Sequence, residues 1–397
     1  MQVSPSRARK CPIEPGRNAS ALWTADPLCG HPARPGLRRA APDKTKTEVP
    51  HMSRSALRVS VILLSVAFAV LLACAAGAAE RFDFPPAGPY QVLRCDFHMH
   101  TVISDGRLTA RERVEESKRL GYDVIAITDH GSTLAYRSAK AAGDELGVLV
   151  LRGLESGVQG KEHYVILGVD GTYRPRDSHR WSEAEGGQTV FYREEMDQVR
   201  RHGGLIIWAH PHVGLREPTL WGIQEGIIRG VELKNDVVGE GWNTTKSHGT
   251  DWYPDAFQWA LEHDLAVFAC TDAHGARRAD PAVTLLLASG RTEKDVKDAI
   301  RDRRTIAWFD GMLWGRRDTL EQLAGAMVQG KLSGGSLTLK NLGPVALRGV
   351  VEGRDGPSFE LPAYGEVSLP AASGRVTVRW ENIWTGLQEN LRSSYGK

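Results

Sequence analysis

The sequence predicts an α/β protein: a parallel sheet of βαβ units whose strand ends gather at one mouth, followed by a small antiparallel β module. Three observations predict it. From Val92 onward, short apolar runs alternate with amphipathic helical stretches, the pattern of βαβ units. Successive apolar runs end in ionisable residues, "HMH", "TDH", "GLE", "AHPH" and "TDAH", and parallel α/β barrels build their sites at the carboxyl ends of strands. After about Leu320 the pattern changes to strict apolar–polar alternation between Gly and Pro turns, which suits antiparallel strands with one wet face.

The elements follow in order. "VLRCDFHMH" reads as the first strand. "LTARERVEESKRLG" reads as a helix, with Thr109 and Glu112 as its capping box and Gly121 as its stop. "DVIAITDH", "GVLVLRGLE" and "HYVILGVD" are buried strands. The helix "TVFYREEMDQVRRHGG" leads into the strand "LIIWAHPH". "IRGVELKN" is a further strand, "DAFQWALEHD" a helix and "AVFACTDAH" a strand. "RTEKDVKDAIRDRR" is a late capped helix before "TIAWFD". The terminal module, residues 319–397, contains neither His nor Cys and therefore no obvious chemistry.

The chain has 397 residues, 41% apolar and 25% charged, ordinary for a globular protein. Residues 1–51 are rich in Pro, Arg and Lys without apolar periodicity, and are expected to be disordered or untranslated, with Met52 as the alternative start. From Met52 a basic segment (Arg54, Arg58), an apolar run (Val59–Ala73) and the small-residue pattern Ala76-Gly77-Ala78 arrive in the order of a secretory signal peptide over 52–79. A retained anchor is one alternative, although the run is short for a bilayer span. Lipidation at Cys74 in "LLAC" is another. The expected mature chain is periplasmic or secreted, with no membrane span and a barrel over 80–318.

Residues 1–79 hold 11 of the 50 Lys and Arg and 4 of the 48 Asp and Glu, so the remainder carries 39 basic against 44 acidic side chains, a net of −5. A mildly acidic body disfavours binding to a nucleic-acid backbone. Cys95 and Cys270, the two cysteines beyond residue 79, fall on apolar strands and are expected to be buried free thiols.

His98 and His100 lie two apart, on one face of an extended segment, and can grip one cation. Alone, such a pair is more often structural. Asp105, on the turn "SDG", can fold back to the same mouth. Asp129-His130, Glu155, His163 and His210 mark further strand ends, and Asp272 and His274 repeat the opening spacing. Clustered carboxylates repel, and clustered neutral imidazoles need many partners. Divalent cations resolve both problems, and the mixed N and O donors suit zinc, manganese or iron. Asp129 is expected to orient His130. Arg216, Asn235 and Trp242 are the candidate substrate contacts, with Arg152, Lys161, Lys234 and Trp252 behind them. His179, His202, His248 and His263 read as surface residues, and His212 as an outside candidate for the mouth.

The ordered set "HMHTVISDG", "ITDH", "GLE", "HYVILG", "AHPH" and "TDAH", from Leu93 to Trp308, resembles the PHP family, named for polymerase and histidinol phosphatase. The resemblance implies a distorted (βα)7 TIM-like barrel with two or three divalent metal ions. It implies that His98, His100, Glu155 and Asp272 hold one ion, that Glu155 bridges to a second held by His163 and His210, and that Asp105, His130 and His274 hold a third. Family members often have His where this chain has Asp105. Glu155, Asp272 and His274 are the implied catalytic residues.

The implied reaction is phosphoester hydrolysis by a metal-bridging hydroxide on a small-molecule substrate. The export signal and the Trp-rich loop resemble exported PHP phosphodiesterases. A monoesterase of the histidinol-phosphatase type is the alternative, and a PHP exonuclease a more distant one. A noncatalytic metal protein would need closed sites, whereas this ligand count leaves coordination positions open.

Overall fold

A computed structural model describes residues 83–158, 162–176, 178–182, 191–237, 244–247, 250–278, 281–353, 358–371 and 374–396. The expected signal segment 52–79 with Cys74, and Lys161, Trp242 and His248, lie outside the described residues. Residues 77–397 form one compact unit. No helix among the described residues is long and apolar enough to cross a membrane.

The elements run β1 (Gln91–Asp96), α1 (Ala110–Arg119), β2 (Val124–Ile127), α2 (Tyr136–Leu146), β3 (Leu149–Gly157), β4 (His163–Leu167), α3 (Tyr192–Arg201), β5 (Leu205–Ala209), α4 (Thr219–Gln224) and β6 (Ile228–Asn235). A short hairpin, β7 (Thr245–Ser247) and β8 (Thr250–Trp252), precedes α5 (Pro254–Glu262), β9 (Ala266–Cys270), β10 (Val283–Ala288), α6 (Glu293–Arg301), β11 (Thr305–Phe309) and β12 (Met312–Gly315). The chain continues as α7 (Arg317–Met327), β13 (Val328–Ser333), β14 (Ser336–Asn341), β15 (Leu347–Val351), β16 (Phe359–Leu361), β17 (Glu366–Pro370), β18 (Val376–Gly386) and β19 (Glu389–Tyr395).

Local signals act as their chemistry dictates. Thr109 accepts from the Glu112 N–H while Glu112 reaches back to the Thr109 N–H, and Thr292 and Asp295 do the same at α6. The sheet is mixed rather than wholly parallel. Its order is β16-β15-β18-β12-β11-β10-β1-β2-β3-β4-β5-β6-β9, with β19 on β18. The pairs β1–β2, β2–β3, β5–β6 and β6–β9 are parallel, whereas β4 runs antiparallel to both neighbours.

A closed barrel was expected, and the strand ladder does not close. β1 has β2 on one edge and antiparallel β10 on the other, so it has no edge left for β9. β9 reaches the first strand only beyond its end, through the isolated bridge Met99–Ala273. There the His100 N–H donates to Ala273 O at 3.0 Å and the Asp272 N–H to His98 O at 2.8 Å. Along β9 itself, threonine hydroxyls replace a strand partner. Thr305 Oγ1 accepts from the Val267 N–H (2.9 Å) and Thr284 Oγ1 from the Ala269 N–H (3.0 Å), so these buried donors are satisfied.

Alternation sorts the side chains. Leu93, Cys95, Phe97, Leu151, Val165, Leu167, Ile207, Phe268 and Cys270 pack in one cluster. The intervening Leu154, Tyr164, Ile166, Trp208, Val231 and Val267 pack in another, as period-two strands require. Both cysteines are buried free thiols. The expected boundary at 318/319 falls in the first turn of α7. The terminal strands divide: β13, β14 and β17 form their own three-stranded sheet, while β18 joins the main sheet in parallel to β12.

Candidate metal centre

Most ligand-bearing segments lie just past strand ends, where the backbone leaves the ladder, whereas Glu155 lies within β3 and His163 opens β4. Two of them use left-handed backbone: His210 has φ 23° and Asp272 φ 50°. Such conformations are costly for residues with a Cβ and concentrate at functional sites. Asp105 is brought back by the turn "SDG". A Cβ on Gly106 would lie 2.5 Å from the carbonyl carbon of His100, so only glycine lets the loop fold this closely.

All nine candidate ligands converge. Glu155 is central. Its Oε1 lies 3.1 Å from both His163 Nδ1 and His210 Nε2, and its Oε2 lies 3.0, 3.4 and 3.5 Å from His130 Nδ1, His100 Nε2 and His98 Nε2. Asp272 Oδ1 lies 3.0 Å from His100 Nε2 and 3.3 Å from His98 Nε2. Asp105, 51% exposed at the rim, places Oδ2 at 3.2 Å from His274 Nε2 and 3.4 Å from His130 Nε2. Four overlapping donor groups result: His98, His100 and Glu155; His98, His210 and Asp272; Glu155, His163 and His210; and His100, Asp105, His130 and His274.

The donor set fits divalent cations. Among the described residues, His98 Nε2, His100 Nε2 and Asp272 Oδ1 are buried without a hydrogen-bond partner, and buried polar atoms left this way call for an ion or water. Burial alone would push Glu155 up. The field of His98 and the hydrogen bonds of His130, His163 and His210 overcome it and hold the carboxyl well below its usual range. Burial opposes a charge on His98, yet Asp272, Glu232 and Glu155 raise its proton affinity well above that of an ordinary histidine. The field that attracts a proton there attracts a cation equally.

An outer layer aims these groups. Glu232, fully buried, accepts from His98 Nδ1–H at 2.8 Å, from the His210 backbone N–H at 2.7 Å and from Asn235 Nδ2 at 3.1 Å. With Nδ1 committed, His98 presents Nε2 to the centre. His274 Nδ1–H likewise donates to Asp272 O at 2.8 Å. From α1, the buried Arg113 guanidinium donates to the carbonyls of His100 (2.9 Å), Ala273 (2.9 Å) and Gly275 (2.8 Å), tying the first and last ligand segments together. Arg277 links Asp96 and Glu116 behind them, at 3.0 and 2.9 Å.

Several expectations are corrected. Asp129 does not face His130. It accepts from the Thr101 N–H (2.7 Å), Thr101 Oγ1 (2.7 Å) and Ser104 Oγ (2.9 Å), and so pins the loop that carries Asp105. Asn235 is buried and donates to both Glu232 and Asp272 (3.2 Å), which makes it a brace rather than a substrate contact. Arg216 is 54% exposed, its Nε 3.9 Å from Glu162 Oε1. Trp252 is core, its ring tilted against that of Trp314 with centroids 4.3 Å apart. Arg152 lies over the Tyr136 ring, and Lys234 donates to Asp251 O. His179, read as a surface residue, sits in the cluster with its ring 5.1 Å from His130 and 5.2 Å from His163. His212 stacks on His210 at 5.6 Å.

Glu232 was missed, although its signal is present in the sequence. In "GVELK" it lies between Val231 and Leu233, both of which pack in the core. An acid in the middle of a buried strand needs a partner or a cation.

Residues 96–206 match the family model described as PHP domain. The match takes in His98, His100, Asp105, His130, Glu155 and His163 and ends before His210. A DNA polymerase III PolC-type of Oceanobacillus iheyensis is 28% identical over 163 residues, 36% of this chain and 11% of the polymerase. A phosphoribosyl 1,2-cyclic phosphate 1,2-diphosphodiesterase of Eggerthella lenta is 32% identical over 80 residues, 19% of this chain and 30% of that enzyme. The chain thus spans less than a third of either relative's length. A crystal structure of a two-domain protein from Bacteroides vulgatus, described as containing a predicted PHP-like metal-dependent phosphoesterase, superposes with a TM-score of 0.66 at 20% identity. The superposition covers 80% of this chain and 98% of that one.

Proposed function

From the PHP domain carried by residues 96–206, we propose that this protein is a metal-dependent phosphoesterase acting on small organic phosphodiesters. The observation that carries the proposal is Glu155. Its two carboxylate oxygens face two different sets of histidines, His163 and His210 on one side and His98, His100 and His130 on the other. One buried carboxylate shared this way supports a centre of more than one ion. Divalent cations such as zinc, manganese or iron, when bound there, supply Lewis acidity toward a phosphoryl oxygen and acidify water near neutral pH.

The protein's own groups prepare that chemistry. Glu155 and Asp272 keep anionic oxygens directed at the centre, with burial opposing and the surrounding histidines sustaining the charge. His274 has its Nδ1 proton committed to Asp272 O, which leaves Nε2, near Asp105 at the rim, to hold an ion on the side where an ester enters. Asp105, His130 and His274, grouped with His100, form the outermost donor group, placed to meet the leaving-group side. Glu155, Asp272 and His274 are therefore the residues assigned to the reaction.

The Eggerthella relative, named as a cyclic phosphate diphosphodiesterase, supports the diester choice, and the segment 52–79 supports export to the periplasm or medium. The test is turnover of bis(p-nitrophenyl) phosphate and p-nitrophenyl phosphate by metal-loaded protein, with stripped protein as control. A faster diester rate is expected. A faster monoester rate would favour the histidinol-phosphatase type of reaction, and turnover of neither would refute the proposal.

A further inference from the structure

On the face of β3 opposite Glu155 lies a cavity of about 530 Å³, within the size range of small-molecule sites. Arg152 marks it. The pairing of β3 is regular along both of its edges, so Arg152, three residues before Glu155, points away from the metal centre. Its guanidinium lies over the Tyr136 ring, 4.4 Å from the centroid, and its Nη2 comes within 3.8 Å of the place a Cβ on Gly171 would take. Tyr136 and Gly171 both line the cavity, so the guanidinium stands at its wall. Arg152 is only half-buried. Its side chain makes no hydrogen bond or ion pair among the described residues, and its nitrogens stay open to solvent.

Two more arginines, Arg137 and Arg174, line the same cavity. Arg174 Nη1 donates to the carbonyls of Gly171 (2.8 Å) and Tyr173 (2.7 Å), which fixes it beside the residue that Arg152 reaches. Among the described residues, no Asp or Glu lines the cavity, and none of the three arginines pairs with a carboxylate. Elsewhere on the surface, Arg111, Arg278 and Arg317 each meet one at 2.6–2.8 Å. A guanidinium does not give up its proton in a protein, so repulsion among three of them is relieved by an anion and not by titration. Their planar forks match the oxygens of phosphate. Three cations also favour a dianion over a singly charged carboxylate or diester. Leu134, 77% exposed, adds an apolar wall beside them.

We propose that this cavity is a second anion site, separate from the metal centre, where Arg137, Arg152 and Arg174 hold a phosphate dianion, either free or as the head of a small organic phosphate. The inference rests on the cavity and its unpaired guanidinium groups, and does not depend on the phosphoesterase reading.

The test is titration calorimetry on the full chain carrying His98→Ala, which cripples the metal centre as a competing phosphate site. The probes are inorganic phosphate and phenylphosphonate, both dianions above neutral pH, the second with a C–P bond that ester hydrolysis leaves intact. Binding of both is expected. Adding Arg174→Met or Arg152→Lys should weaken it by at least about tenfold, because each removes charged hydrogen bonds to the anion. Arg174 is exposed, so its replacement leaves the fold standing, and an unchanged Tm checks this. Arg152→Lys keeps the charge and loses only the fork. Tighter binding of phenylphosphonate would assign an organic phosphate with its body against Leu134, and equal affinity would assign the free ion; either upholds the site. No binding in His98→Ala, or binding that either arginine variant leaves within about twofold, would overturn it. None of these outcomes uses turnover, so failure of this site and failure of the phosphoesterase reading are seen separately.

Discussion

Replacing Glu232 by Gln tests whether the outer layer sets the strength of the centre. The wild-type carboxylate accepts three hydrogen bonds, from His98 Nδ1–H (2.8 Å), the His210 N–H (2.7 Å) and Asn235 Nδ2 (3.1 Å), with no access to water. Glutamine keeps the volume but accepts at one atom only. Its NH2 must face at least one of those donors, which leaves a buried donor unpaired at about 1–3 kcal/mol. The lost charge also frees His98 to exchange tautomers and turn Nε2 from acceptor to donor. Outer partners of metal-binding histidines typically contribute 10–100-fold in affinity, which agrees with that energy at about 1.4 kcal/mol per decade. Competition with a chromophoric chelator should therefore show metal held about 10–100-fold more weakly in Glu232→Gln. The rise in Tm on adding metal should shrink accordingly. Affinity within twofold of the wild type, with an unchanged Tm increment, would refute the argument that Glu232 orients His98.

Further outcomes follow from other groups. Arg113→Met strips the carbonyls of His100, Ala273 and Gly275 of a buried cation. It should cost roughly 3–5 kcal/mol of stability, read from the denaturant midpoint of metal-free protein; a midpoint unchanged from wild type would contradict it. Asp105→Asn should lower the metal count per chain by one, measured by elemental analysis after gel filtration, while the ions around Glu155 remain; an unchanged count would remove Asp105 from the ligand set. Asp236 has its carboxyl pushed up to about 6 by burial, against the Ala282 N–H, Arg278 and Lys234. Its folded pKa lies above the unfolded value near 4, so its contribution is fully present below about pH 4 and is lost as pH rises through 6, by roughly 2–3 kcal/mol. The Tm of wild type relative to Asp236→Asn should fall across that window, and a flat difference would contradict the assignment.

Much of this centre was legible because strands have period two and end where polar residues begin. His163, Glu155 and Asp272 each continue the inward face of their strands, two residues from Val165, Gly153 and Cys270. The recurring His, Asp and Glu at strand ends therefore had to meet. What was illegible depended on partners distant in sequence. Arg113 reads as a solvent-facing helical arginine, yet it lies fully buried because the carbonyls of residues 100, 273 and 275 surround it. His179 sits in a segment without periodicity, and only the fold brings it to His130 and His163. The open ladder was hidden for a similar reason. "AVTLLLAS" gives no sign that it will pair antiparallel with β1 and take the edge a closed barrel needs. The role assigned to Asp129 was missed because adjacency to His130 in sequence was read as adjacency in space. Asp129 instead bonds to Thr101 and Ser104, and Asn235 braces Glu232 of its own strand and Asp272 beyond the end of β9.

The most direct test of the account is the rate of bis(p-nitrophenyl) phosphate hydrolysis as zinc or manganese is titrated into stripped protein, with His98→Ala run in parallel. Folded wild-type protein should be silent without metal and gain activity that saturates at two to three ions per chain, and His98→Ala should stay silent at every metal level. Metal-independent turnover, or a His98→Ala rate matching the wild type, would contradict the claim that this cluster of histidines and carboxylates is a hydrolytic metal centre.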